Sequence, residues 1–209
     1  MLTEAKLRDA LQRISPVAIS GPFSRFVPFR HLVSDRREGL VPSPRAKPLW
    51  GLGSLENGGR YNFAKKFEVV YLAEDAITAL SESELMLRHA SARVVRIKGA
   101  PLVHISVEGI VASVLDLTLA TTQELLSTNM QELTGEWRVT QVEGQEAPTQ
   151  VLGRVAFQSE RFDAIRFPSS KNPGGVCVAV FAERLTADGR AFIAVYDPDD
   201  NLAQRIPPE

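Results

Sequence analysis

The apolar residues of this chain gather into short alternating runs that follow one another directly along the sequence. Val95 and Ile97 alternate with polar neighbours over 93–98, and Val103, Ile105 and Val107 do so over 102–107. A third apolar run, 110–117, ends at Asp116-Leu117-Thr118. Period-two alternation is the mark of half-buried strands. Further strands are expected over 68–73, 164–167, 176–182 and 191–196. Strands that neighbour in sequence, without strict strand–helix alternation, predict an α+β fold. The expected architecture is one domain with a mixed or antiparallel sheet core flanked by helices, and 209 residues suffice for it.

Helices are expected in four places. Thr3 stands as a cap before a stripe of Leu7, Ala10, Leu11 and Ile14, and Ser15-Pro16 ends that segment. Asp75 is positioned to cap a helix over about 76–90, with Ala76, Leu80, Glu84 and Leu87 on one side. Thr121-x-x-Glu124 reads as a capping box opening a helix through about Met130. Pro148 suits the first turn of a helix carrying Val151, Leu152, Val155, Ala156 and Phe157.

The stretch 16–48 holds Pro16, Pro22, Pro28, Pro42, Pro44 and Pro48, which excludes long regular elements. A solvated tether would not carry Phe23, Phe26, Phe29, Leu32 and Val33. The expectation is ordered, irregular structure wrapped on the core. The polar tail after Tyr196 is expected to be loose.

A net charge of −1 gives no general pull toward nucleic acid or an anionic membrane, so any basic site is local. Arg36, Arg37, Arg45 and Lys47 form one basic stretch, readable as a partner contact or as a solvated loop. The single cysteine, Cys177, excludes an internal disulfide and lies in an apolar run, where it reads as a small buried hydrophobe. Histidines at 31, 89 and 104 lack zinc-site spacing, and no metal is expected. The charged N-terminus does not read as a signal peptide, and no apolar stretch reaches membrane-spanning length; a cytoplasmic protein is expected.

Several residues have chemical potential. Gly58-Gly59 lets the backbone bend and approach a ligand, and Arg60 follows as a fork of donors suited to phosphate oxygens. No Walker lysine motif and no glycine fingerprint between strand and helix is present. Glu82, with Glu74 and Glu84 nearby, reads alone as a solvated helix glutamate. Tyr71 reads as a core tyrosine, and Ser169 and Ser170 as turn residues.

Taken in order along the chain, these elements resemble the RES domain, named for its arginine, glutamate and serine. The resemblance begins at Phe23-Ser24-Arg25-Phe26-Val27-Pro28-Phe29-Arg30-His31. It continues through Gly58-Gly59-Arg60-Tyr61-Asn62, Val70-Tyr71-Leu72-Ala73, Thr78-Ala79-Leu80-Ser81-Glu82 and Gly135-Glu136-Trp137-Arg138. It ends in Asp163-Ala164-Ile165-Arg166-Phe167-Pro168-Ser169 with Gly174-Gly175 and a following apolar strand. Tyr61 stands where tryptophan is common, Phe63-Ala64-Lys65-Lys66 where a proline often follows, and 34–48 is longer than compact members need. Arg25 is taken as the first family arginine, with Arg30 in reserve.

The resemblance implies an ADP-ribosyltransferase-like fold, with the family domain over 19–187, an N-terminal helix in 1–18 and a terminal strand and loose tail in 188–209. It implies a bacterial toxin that consumes NAD⁺ as substrate, by hydrolysis or phosphorolysis of the nicotinamide–ribose bond, and arrests growth unless an Xre-type helix-turn-helix antitoxin binds it. Transfer of ADP-ribose to a protein, or a non-catalytic interaction module, are the alternatives. The catalytic residues so implied are Glu82, Arg25 and Ser169, with Arg60, Tyr71, Gly59, Tyr61 and Asn62 around NAD⁺. Homo-oligomerisation is left open, and neither nucleic acid nor membrane is an expected partner.

Overall fold

The structure is a computed structural model. It describes residues 1–29, 32, 46–83, 101–186 and 190–208, together with the backbone of 86–88 and 94–97. Arg30, Arg36, Arg37 and Arg45 lie outside the described residues. The chain opens with helix α1 (Glu4–Arg13) and strands β1 (Val17–Ser20) and β2 (Phe23–Pro28). Helix α2 (Leu52–Asn57), strand β3 (Val70–Ala73) and helix α3 (Ala76–Glu82) follow. A separate antiparallel pair, β4 (Met86–Arg88) and β5 (Val94–Ile97), precedes the long strand β6 (Leu102–Asp116). Then come α4 (Ala120–Leu125), α5 (Met130–Thr134), α6 (Arg138–Val142) and α7 (Pro148–Gln158). The chain ends in β7 (Ala164–Pro168), β8 (Val176–Val180), β9 (Phe192–Val195) and β10 (Arg205–Ile206).

Eight strands make one mixed sheet, in the order β10-β9-β6-β2-β3-β8-β7 with β1 also on β6. Because β7 returns to pair in parallel with β6, the path β6-β2-β3-β8-β7 closes on itself. This is the expected α+β single domain, with helices packed on the sheet.

Alternation sorts the strand residues between two cores. In β8, Val178 and Val180 face one apolar cluster while Cys177 and Ala179 face the other. In β3, Val70 and Leu72 join the first and Ala73 the second. The second cluster is completed by helix residues, Leu7 and Leu11 of α1 and Leu152 and Val155 of α7.

The structure departs from the sequence expectations where local signals compete. The runs 102–107 and 110–117 form one 15-residue strand, β6. Gly109 lies within it because β9 passes close: a side chain there would come within 2.3 Å of the Phe192 carbonyl. The proline-rich stretch contributes β1 and β2 to the sheet rather than irregular structure alone. Three of its prolines sit at strand ends, Pro16 before β1, Pro22 between the strands and Pro28 closing β2, where a missing N–H costs little. Helix α3 stops at Glu82 instead of running to 90, and residues 86–88 are strand. Thr121 does not cap a helix; α4 begins after Leu119 without a side-chain cap, and a break at Ser127, with φ of 48°, separates it from α5. Thr3 likewise makes no side-chain capping bond. The tail is not wholly loose, since β10 pairs with β9.

Helix α7 lies directly on the segment that carries Tyr61. A β-carbon on Gly153 would stand 1.8 Å from the Tyr61 carbonyl oxygen. Helix propensity alone favours Gly153→Ala by about 1 kcal/mol. The contact reverses that sign, because the overlap is with backbone that has no rotamer to yield. Gly153→Ala is expected to destabilise the protein by about 2 kcal/mol or more in denaturant unfolding. Equal or greater stability of the variant would show that α7 does not sit on this turn.

Candidate active site

A cleft of about 370 Å³ opens between β2, β3, the end of α3, the turn at 58–60 and the segment 134–138. Arg25, Gly59, Arg60, Tyr71 and Glu82 line it.

Glu82 reaches the cleft because α3 is short. Asp75 starts the helix by accepting from the Thr78 amide at 2.8 Å and the Thr78 hydroxyl at 2.6 Å, and those bonds hold its carboxyl below the usual range. Two turns later the helix ends at Glu82. The Glu82 Oε1 atom accepts from the Ser169 hydroxyl at 2.6 Å, the Ser170 amide at 2.9 Å and the Lys171 amide at 3.2 Å. The Ser169 hydroxyl oxygen in turn accepts from the Lys171 and Asn172 amides at 3.1 and 3.0 Å. Asn172 also donates to Thr78 Oγ1 at 2.9 Å, so the β7–β8 turn is fastened to α3 at two points. Gly175 permits this approach, since a β-carbon there would lie 2.3 Å from Thr78 Oγ1. Glu82 Oε2 accepts no hydrogen bond from the described residues.

Arg25 projects from β2. Its Nη2 donates to the Trp50 carbonyl at 2.9 Å, while its Nη1 is buried without a partner among the described residues. Burial pulls its pKa down to about 10, and the carboxylate of Glu68 opposes that shift. An unpaired buried donor costs about 1–3 kcal/mol, and Arg25 carries that cost at the wall of the cleft. Arg60 is oriented through Nη1, which donates to the carbonyls of Leu133 at 3.0 Å and Gly135 at 2.7 Å, where α5 ends. Its remaining guanidinium donors meet no acceptor among the described residues.

The Gly58–Asn62 segment is a tight turn. Gly58 has φ of +75°, and Gly59 and Asn62 pair through backbone bonds of 2.8 and 3.4 Å. Tyr71 supports it from below: its hydroxyl donates to Asn62 Oδ1 at 3.0 Å and accepts from the Tyr61 amide at 2.9 Å. Gly59 rests on that ring, with only 2.5 Å between a would-be β-carbon and the Tyr71 hydroxyl. Burial pushes the Tyr71 phenol well above its ordinary value.

The structure therefore brings Arg25, Gly59, Arg60, Tyr71 and Glu82 together at one cleft, but gives the other expected residues different tasks. Tyr61 is fully buried, its ring 4.6 Å from that of Phe167, and does not reach the cleft. Asn62 is also fully buried and donates to the carbonyls of Ser54 and Phe67. Ser169 is turned inward onto Glu82, and its neighbour Ser170 lines the cleft. Tyr71 contributes its ring to the wall, with its hydroxyl committed to the turn. Cys177 is buried, as expected for a small hydrophobe, and burial raises its thiol far out of the reactive range.

Sequence reasoning missed the acidic neighbour of Arg25, Glu68, and the buried Gln150 behind the Arg60 turn. The Gly135–Arg138 element, part of the resemblance but given no site role, forms the facing wall, where the Arg138 guanidinium lies 4.7 Å from the centre of the Trp137 ring. Glu68 looked like the first residue of a strand, and Gln150 like an ordinary helix residue. Among the described residues no group of three His, Cys, Asp or Glu could hold a metal, and no helix is long and apolar enough to cross a membrane.

The fold and site define a single-domain α+β protein in which the half-buried carboxylate of Glu82 shares one cleft with Arg25, Arg60 and Arg138. The RES domain family profile matches residues 33–200, and the chain belongs to the RES domain family. A chain of the M. tuberculosis MbcT–MbcA toxin–antitoxin complex shares its fold, with a TM-score of 0.60 at 20% identity over 89% of this chain and 87% of that one. No curated protein matches the sequence.

Tyr71→Phe tests the supporting role of the phenol. The variant leaves the Tyr61 amide and Asn62 Oδ1 without their partner, and a loss of about 1–3 kcal/mol in unfolding free energy is expected. If Tyr71 served only as a ligand contact, the stability of the free protein would not change.

Proposed function

We propose that the chain cleaves the bond between nicotinamide and ribose in NAD⁺, by hydrolysis or phosphorolysis. We further propose that it is a cytoplasmic toxin whose partner is an Xre-type helix-turn-helix antitoxin. One observation carries the catalytic reading. Glu82 is gripped through Oε1 by the Ser169–Lys171 turn, while Oε2 is left without a partner among the described residues, in a cleft shared with Arg25, Arg60 and Arg138.

Cleavage at the ribose anomeric carbon passes through an oxocarbenium-like transition state. The breaking bond returns its electron pair to the nicotinamide ring nitrogen, so the leaving group departs neutral and needs no strong acid. A fixed carboxylate beside the developing ribosyl cation lowers the barrier, and Glu82 Oε2 is the group for it. An oxygen of water, which gives up a proton to solvent, or of phosphate then forms the new bond to the anomeric carbon. The pyrophosphate of NAD⁺ carries two negative charges, matched by Arg25 Nη1 and the unused donors of Arg60. Ser169 acts through Glu82, by holding its Oε1, rather than on the substrate. The toxin reading draws on family membership and on the fold shared with a chain of a toxin–antitoxin complex.

Glu82→Gln keeps an oxygen for the Ser169 hydroxyl and removes the charge. Nicotinamide release from NAD⁺ is expected to fall by about 10²-fold or more, with the melting temperature held close to the parent value. Unchanged release from a folded variant would remove Glu82 from the mechanism. Label transferred from NAD⁺ to a protein, instead of free ADP-ribose or its phosphate, would replace cleavage by ADP-ribosylation.

A further inference from the structure

Gln150 lies in α7, behind the cleft, and is fully buried. Its Oε1 accepts from the Ala147 amide at 3.0 Å and so closes the N-terminus of the helix. Capping asks nothing more of this side chain than an acceptor oxygen. Its Nε2 faces three acceptors elsewhere: the Gly59 carbonyl at 3.0 Å, the Asn62 carbonyl at 3.3 Å and Gln141 Oε1 at 2.7 Å. Gly59 and Asn62 are the residues whose mutual backbone bonds close the Arg60 turn. Gln141 holds the same turn from outside. Its Nε2 donates to the Asn57 carbonyl at 2.8 Å, and its Oε1 fills the space that a side chain at Gly58 would need.

We propose that Gln150 is a positioning residue. Its amide nitrogen, backed by Gln141, fixes the two carbonyls on either side of the Arg60–Tyr61 tip and so sets where the Arg60 guanidinium meets an anionic ligand. Tyr71 fastens the same tip from the sheet side, through the Tyr61 amide and Asn62 Oδ1, so α7 and β3 clamp it between them. The ligand end concerned is the pyrophosphate, and that part rests on the NAD⁺ reading above.

Gln150→Glu separates capping from positioning. Glutamate keeps an acceptor for the Ala147 amide and is at home in a capping box, but it places an oxygen where the turn needs a donor. The expected result is a rise of about tenfold in KM for NAD⁺ with kcat changed by less than about twofold, the signature of lost binding rather than lost chemistry. Gln141→Ala, at a partly exposed position, is expected to raise KM in the same direction by about threefold, and the two effects are expected not to multiply in the double variant. Hydrogen exchange at the Gly59 and Tyr61 amides is expected to quicken in both variants. Unchanged KM, a loss confined to kcat, or full multiplicativity would overturn the proposal. If the parent protein releases no nicotinamide, the NAD⁺ reading fails; amide exchange then decides the role of Gln150, and unchanged protection at Gly59 and Tyr61 refutes it. If Gln150→Glu does not fold, the same two readouts on Gln141→Ala decide, and parent-like values refute it.

Discussion

Strand β6 exchanges hydrogen-bonded partners along its length, and the rest of the molecule is arranged around that exchange. Residues 102–107 pair with β2, 107–110 with β9, 110–114 with β1 and 114–116 with β7. A shorter strand would leave an open sheet; this one lets β7 come back in parallel and close it. Closure places β2, β3, β8 and β7 in one succession. Arg25 rides on the first, Tyr71 on the second, Glu82 on the helix that leaves the second, and Ser169 in the turn between the last two. Residues far apart in sequence thus meet at or beside one cleft.

What meets there is held by polar bonds made before any ligand arrives. Ser169 and the backbone amides of its turn fix one oxygen of Glu82. Two backbone carbonyls orient Arg60, and one orients Arg25. Glu82 Oε2, Arg25 Nη1 and the outer donors of Arg60 are left without partners among the described residues. Fixed charges of this kind need little reorganisation when charge develops on a substrate, which is where electrostatic catalysis gains most. The hydroxyls of Tyr71 and Ser169, which the family resemblance placed at the ligand, do the holding.

Much of this was legible in the sequence, and the failures have physical reasons. Strands β7 and β8 and helix α7 are legible because short apolar runs bounded by turn residues, or Pro148 at a helix start, agree with the tertiary structure. Strands β1 and β2 were hidden because proline counts as a breaker wherever it stands, whereas here it marks strand ends. The end of α3 was missed because Leu87 continues a helical spacing although 86–88 pairs as strand. Arg25, Arg60 and Glu82 were recognised by their order along the chain. Which atoms of neighbouring residues point outward was not. Tyr61 and Asn62 flank the same arginine and turn into the core, and of two adjacent serines the first faces Glu82 while the second lines the cleft. Gln150 escaped because the helix start offers its side chain a sufficient local explanation.

The proposed chemistry needs a ribosyl centre beside Glu82 Oε2 and a pyrophosphate on Arg25 and Arg60. A crystal structure with a non-cleavable NAD⁺ analogue, in which carbon replaces the ribose ring oxygen next to nicotinamide, tests it most directly. The expected result is a pyrophosphate within hydrogen-bond reach of Arg25 Nη1 and Arg60, with the nicotinamide ribose facing Glu82 Oε2. An analogue bound away from this cleft, or bound in it with the pyrophosphate turned from both arginines, would contradict the claim.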